Sequence, residues 1–73
     1  MEQYKNGDKV VHLGGVKGKA SRNRGAVLTI LEGPIKIVGY TGVRYIVDRP
    51  VYITGHLKPT AYHADAEYLL KLK

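Results

Sequence analysis

The stretch that decides the fold of this chain is a glycine-rich basic loop between two strand-like runs. The first run is Asp8-Lys9-Val10-Val11-His12-Leu13, and the second is Ala26-Val27-Leu28-Thr29-Ile30-Leu31. Between them lies Gly14-Gly15-Val16-Lys17-Gly18-Lys19-Ala20-Ser21-Arg22-Asn23-Arg24-Gly25, which carries four cations and no acid. Glycine and like charges both oppose ordering, so we expect a flexible cationic loop whose two ends are anchored by strands.

Beyond this loop the chain alternates between turn residues and short runs rich in Val, Ile, Tyr and Thr. Short strands at such spacing are typical of an all-β barrel or sandwich. Residues 39–43 are predicted to form a hairpin turn in which Gly42 takes positive φ. Gly33, Gly39 and Gly55 are candidates for strand bends that would close a barrel. The alternation of apolar residues predicts a core that contains Val27, Ile37, Tyr45, Val47 and Leu70.

The C-terminal segment allows two predictions. Good helix formers follow a candidate N-cap at Thr60, so residues 61–72 could form a helix. Alternation of Tyr68, Leu70 and Leu72 favours a short helical turn near 64–67, followed by a closing strand over 68–72. The preferred prediction is therefore an all-β, five-stranded barrel with a long basic loop between strands 1 and 2 and a helical turn before the last strand.

The order of motifs resembles that of small SH3-like barrels. Gly7-Asp8-Lys9-Val10 and Arg24-Gly25-Ala26-Val27 each open a strand, Tyr45-Ile46-Val47 lies in a later strand, and Ala66-Glu67-Tyr68-Leu69 comes near the end. KOW-type modules of translation and transcription proteins, a photosystem accessory subunit and plasmid-encoded type II dihydrofolate reductases share this outline. The resemblance implies a single SH3-like barrel domain over 1–73, in the style of small phage or mobile-element proteins.

Two departures limit what the resemblance implies about function. The basic loop is longer than the corresponding gap in KOW modules. The reductases line a pore with a Val-Gln-Ile-Tyr stretch, whereas this chain has Val51-Tyr52-Ile53-Thr54, without the glutamine. We therefore do not expect reductase activity.

Composition limits the function classes. The 73 residues suffice for one domain with a small core, which makes a homo-oligomer one way to gain stability. Twelve Lys and Arg against six Asp and Glu give a net charge of +6, which favours nucleic acid or an acidic protein as partner. The chain has no cysteine and no apolar run of about 20 residues, and no apolar segment follows residues 1–5. We expect a cytoplasmic protein without a signal peptide or membrane span.

Catalytic, cofactor and metal motifs are not found in the sequence. His12, His56 and His63 lack the spacing of metal ligands. Ser21 has no acid–base partner nearby in sequence, and the glycines of the basic loop do not match a nucleotide-binding fingerprint. We expect a protein that is not an enzyme and that uses no cofactor.

The basic loop is the candidate binding site. Lys17, Lys19, Arg22 and Arg24 could neutralise phosphates, and Asn23 could hydrogen-bond to a base. Exposed tyrosines beside cations can stack on bases or anchor a protein interface. The sequence therefore favours non-enzymatic nucleic-acid binding, DNA or RNA, with docking on an acidic host protein as the alternative and a merely solvated loop as the simplest reading. Residues that would extend the site are Lys9, Lys36, Arg44, Arg49, Tyr52 and Tyr62.

Overall fold

The computed structural model describes residues 3–14, 22–40, 42–53 and 57–72. Its strands are β1 (Lys9–His12), β2 (Val27–Ile35), β3 (Arg44–Val51), β4 (Ala61–Asp65) and β5 (Leu69–Lys71), and a 3-10 turn spans Ala66–Tyr68. All neighbouring strands are antiparallel, in the order β4-β3-β2-β1-β5, and the sheet curls into a half-barrel.

The predicted all-β class, the five strands and the short turn before the last strand are confirmed. Residues 61–71 form β4, the 3-10 turn and β5, so the alternative C-terminal helix over 61–72 is wrong. The Asp65 side chain explains the turn, because its Oδ1 accepts a hydrogen bond of 2.9 Å from the backbone N–H of Glu67.

The core lies on the concave face of the sheet. Tyr45 and Val47, predicted as core residues, are fully buried beside Val10, Leu28 and Ile30. The chain before β1 covers part of this core, since the Tyr4 hydroxyl donates to Leu69 O at 2.9 Å and Tyr45 Oη accepts from Tyr4 N at 3.1 Å. The Tyr4 and Tyr45 rings meet edge to face at 5.2 Å.

Two residues predicted to lie in the core, Val27 and Leu70, face solvent instead. In each case the neighbouring residue of the same strand points into the core. Val27 is 45% exposed, while its neighbour Leu28 is buried opposite Val10. Both faces of β2 are apolar in sequence, and a β-bulge decides the phase: Gly25 N donates to His12 O, while His12 N donates to Ala26 O. Gly25 adopts a φ of +85°, as this bulge requires.

The second reversal is in β5. Leu70 is 50% exposed and Leu69 is buried, because the 3-10 turn delivers Leu69 opposite the inward-facing His12. Ile37, also predicted as core, lies beyond the end of β2 and is only half-buried.

Two glycines lie at the bends predicted within β2 and in the turn between β2 and β3. Gly42 has a φ of +76°, which confirms the expected positive value. Gly33 lies within β2, where the pairing with β3 shifts register, and a Cβ there would approach Tyr45 Cδ1 to 2.6 Å. Gly55, another predicted bend, lies outside the described residues.

Among the described residues, none of the helical turns has the length or apolar character needed to cross a membrane.

Candidate functional site

The two ends of the basic loop lie side by side at the end of β1. Gly14 N donates to Nδ1 of the buried His12 at 3.0 Å. Gly14 also lies against Arg24, since a Cβ on this glycine would be 3.1 Å from Arg24 Nε. The intervening residues 15–21, with Lys17 and Lys19, lie outside the described residues, so the predicted flexibility of the loop stays a prediction.

Asn23 fastens the returning end of the loop to the chain after β3. Its Nδ2 donates to Tyr52 O at 2.9 Å, and its Oδ1 accepts from Tyr52 N at 2.7 Å. The side-chain amide thus pairs with the backbone of Tyr52 as a neighbouring strand would. Asn23 is only 8% exposed, which places it inside the structure rather than on the binding surface.

Arg22 extends over the same tyrosine. Its guanidinium carbon is 5.2 Å from the centre of the Tyr52 ring, and its NH1 donates to Leu57 O at 3.0 Å. Arg22 itself remains exposed. A planar cation is therefore held on an aromatic face, with Arg24 in the same turn.

The sequence signal for this arrangement is weak. Arg22 and Tyr52 are separated by a whole hairpin, and only the tertiary structure brings them together. Loop cations and an isolated tyrosine are visible in the sequence, but their contact is not.

Three other predicted cations are engaged elsewhere. Lys9 Nζ donates to the Thr29 hydroxyl on the outer face of β1 and β2. Arg49 NH1 donates to Val27 O at 3.4 Å. Arg44 begins β3, at the opposite end of that strand from Tyr52, so the structure does not bring it to Arg22.

Arg44 forms a separate cluster at the β2–β3 hairpin. Its Nε donates to His63 Nδ1 at 2.8 Å, and its NH1 lies 3.8 Å from Asp65 Oδ2. Its guanidinium carbon is 4.8 Å from the centre of the Tyr40 ring, which the His63 ring meets edge to face at 4.7 Å. The Arg44 side chain is only 13% exposed, so this cation mainly serves contacts within the chain.

Tyr62 and Lys36 complete the predicted set. Tyr62 is 55% exposed on β4. Thr60, two residues earlier, donates from its backbone N–H to Val51 O at 3.2 Å, which places this part of β4 beside the residue that precedes Tyr52. Lys36 is exposed in the β2–β3 hairpin, away from the basic loop.

The pKa values of both described histidines are lowered in the folded chain. Burial lowers the pKa of His12, the Arg44 charge lowers it further, and the Asp65 charge opposes these effects. Partial burial, and then the Arg44 charge, lower the pKa of His63. Within residues 3–14, 22–40, 42–53 and 57–72, no group of three or more His, Cys, Asp or Glu side chains could hold a metal ion. His56 lies outside these ranges.

Comparisons with protein-family models, with curated proteins and with solved structures find no match to this chain.

Proposed function

We propose that the half-barrel is an SH3-like barrel that binds nucleic acid without catalysing a reaction. The binding surface is the basic loop between β1 and β2, together with the face of Tyr52. Lys17, Lys19, Arg22 and Arg24 contact phosphates, and the net charge of +6 steers the polyanion to the protein.

The observation that carries this proposal is the placement of Arg22 on the Tyr52 ring at 5.2 Å. An arginine held on an aromatic face keeps its planar donors oriented, which suits bidentate contact with a phosphate. The exposed side of the guanidinium can also extend the stack to a nucleobase.

Asn23 supports this surface from inside. Its side-chain amide is already hydrogen-bonded to the Tyr52 backbone, at 2.7 and 2.9 Å. We therefore propose that Asn23 positions Arg22 and Arg24 and does not contact a base directly. Contacts to the phosphate backbone position a nucleic acid without reading its sequence, so we expect little sequence preference.

The test is binding of fluorescently labelled single- and double-stranded oligonucleotides of mixed sequence across a salt series. Replacement of Lys17, Lys19, Arg22 and Arg24 by Ala should weaken binding. It should also reduce the slope of log affinity against log salt, by about 0.7 to 0.9 per lost phosphate contact. Absence of binding by the wild-type chain at low salt would contradict the proposal.

A charge-matched control separates local contacts from net charge. The double variant Arg22→Ala/Arg24→Ala and the double variant Lys5→Ala/Lys36→Ala each remove two cations from exposed positions. Only the first pair lies at the basic loop, so only the first should lose most of the affinity. Equal losses would assign binding to diffuse attraction instead of to this site.

A further inference from the structure

The outer face of the sheet carries an aliphatic patch that the proposed function does not use. Val27 on β2 is paired with Val11 on β1, and Val11 is paired with Leu70 on β5. The three side chains therefore form one row across three strands, on the face opposite the core. Leu13 and Leu72 lie on the same face, on either side of this row, because they follow Val11 and Leu70 by two residues on antiparallel strands; their backbone N–H groups donate to Tyr68 O and Lys9 O. We call these five residues the outer aliphatic patch.

This patch is open to solvent. Leu70 is 50% exposed, Leu13 48%, Val27 45% and Leu72 38%, while Val11 at the centre is half-buried by its neighbours. The solvent face of an antiparallel sheet is ordinarily polar, because nothing there compensates for exposed hydrocarbon. A contiguous apolar group rimmed by polar residues marks an interaction surface.

The rim of the patch is cationic. Lys9 lies two residues before Val11, on the same face of β1, whereas Lys71 is paired with Val10 and leaves the edge strand β5 on the opposite face. Arg49 reaches Val27 O from β3. Two nearby carboxylates are already engaged: Asp8 lies 3.5 Å from Lys71, and Asp48 Oδ1 accepts from Thr29 N at 2.9 Å.

Charge decides which occupant fits this surface. A second copy would set a chain of charge +6 against another and bring the cations beside the two patches together. A nucleic acid would satisfy the cations but leave the aliphatic centre without a partner. We propose that the outer aliphatic patch docks a protein segment with an apolar centre and an acidic rim. This proposal does not depend on nucleic-acid binding at the basic loop.

Three synthetic helical peptides, an amphipathic one and two altered versions of it, test the proposal with the intact wild-type chain. The first has Leu and Phe on one face and Glu on the other, the second replaces Glu by Lys, and the third replaces Leu and Phe by Ser. Only the first should bind, with NMR shift changes centred on Val11, Val27 and Leu70. The other two should bind at least about tenfold more weakly, because each lacks one of the two complementary features.

Variants of the chain give an independent result. The triple variant Val11→Thr/Val27→Thr/Leu70→Thr places a β-branched, strand-compatible residue at each position and should lose at least about tenfold in affinity for the first peptide. Val38→Thr and Leu57→Ser alter aliphatic residues that are 99% and 82% exposed away from the patch, and they should bind the peptide as wild type does. Thermal unfolding would verify that each variant is folded.

Four outcomes would overturn the proposal. Binding of the acidic peptide elsewhere on the chain, or equal binding by the triple variant, would remove the patch as its site. A dimer in sedimentation equilibrium that the triple variant abolishes would identify a second copy as the occupant. Patch-dependent binding to phosphatidylglycerol vesicles would identify an anionic membrane instead.

Discussion

The side-chain amide of Asn23 forms two hydrogen bonds with the backbone of Tyr52, at 2.9 Å from Nδ2 and 2.7 Å to Oδ1. This contact joins the end of the basic loop to the chain that follows β3. It also sets Arg22 beside the Tyr52 ring, so a buried structural contact and the candidate binding surface occupy adjacent residues.

Removal of that amide should destabilise the fold. We expect Asn23→Ala to cost about 1–3 kcal/mol, because the N–H and C=O of Tyr52 lose their partners in a partly buried position. Asn23→Asp should also destabilise, since a carboxylate oxygen would replace the donor that faces Tyr52 O. Urea denaturation measures both, and Gln3→Ala, at an exposed residue, should change stability by less than about 0.5 kcal/mol. An Asn23→Ala variant as stable as wild type would contradict the assigned role.

A glycine pair distinguishes close packing from backbone strain. At Gly33 a Cβ would lie 2.6 Å from Tyr45 Cδ1, with φ at +136°. Gly33→Ala should therefore cost about 2–4 kcal/mol, from strain and steric conflict with a core ring. Gly39 has φ at +89° and open space around its Cβ position, so Gly39→Ala should cost only about 1–2 kcal/mol. Equal thermal midpoints for the two variants would show that Tyr45 relaxes at little cost.

The phase of β2 and β3 is tested with two identical substitutions. Val47 is fully buried, so Val47→Ala should cost about 1–3 kcal/mol through lost burial and a residual cavity. Val27→Ala, at a residue 45% exposed, should cost less than about 1 kcal/mol and no more than half as much. Chemical denaturation of both variants gives the comparison, and the reverse order would place Val27 in the core.

Stability should fall as the pH drops below about 6.5. The pKa values of His12 and His63 lie below their ordinary value of 6.5 in the folded chain, so the unfolded chain binds more protons in this window. The stabilisation of the folded chain that comes from these two histidines is fully present above pH 6.5. It is lost as the pH falls toward their folded-state pKa values. The His63 effect has a visible cause, since its Nδ1 cannot be protonated while it accepts from Arg44 Nε.

NMR titration of the imidazoles and urea midpoints at several pH values measure this effect. Between about pH 7 and 8 the histidines should leave stability unchanged, which serves as an internal control. His63→Gln should reduce the dependence below pH 6.5. Folded-state pKa values at or above 6.5 for both rings would contradict the prediction.

Base stacking is tested at the half-buried Tyr52 and the exposed Tyr62. If the Tyr52 face binds nucleobases, Tyr52→Leu should weaken binding of single strands by about 1–3 kcal/mol and leave duplex binding nearly unchanged. Tyr62→Leu serves as a second, separate probe on β4. Fluorescence anisotropy with single- and double-stranded probes measures the difference. No loss in either variant would leave only contacts to phosphates.

The sequence alone determined the class of fold. Glycine-rich turns, β-branched runs and the turn before the last strand are local features, and local conformational preference suffices to predict strands, bends and their order. The same holds for the concentration of cations between β1 and β2. What these patterns leave undetermined is which face of an apolar strand points inward, because Val27 and Leu28 are equally suited to a core.

Only the tertiary structure decided that question and the composition of the site. The bulge at Gly25 and the turn before Leu69 set the phases of β2 and β5, and so turned Val27 and Leu70 outward. Long-range contacts likewise place the Arg22 guanidinium on the Tyr52 ring and bury Asn23. They also hold Arg44 against His63 and Asp65, away from the basic loop. Such pairings depend on strand register, which arises when several segments pack at once, so no single stretch of sequence encodes them.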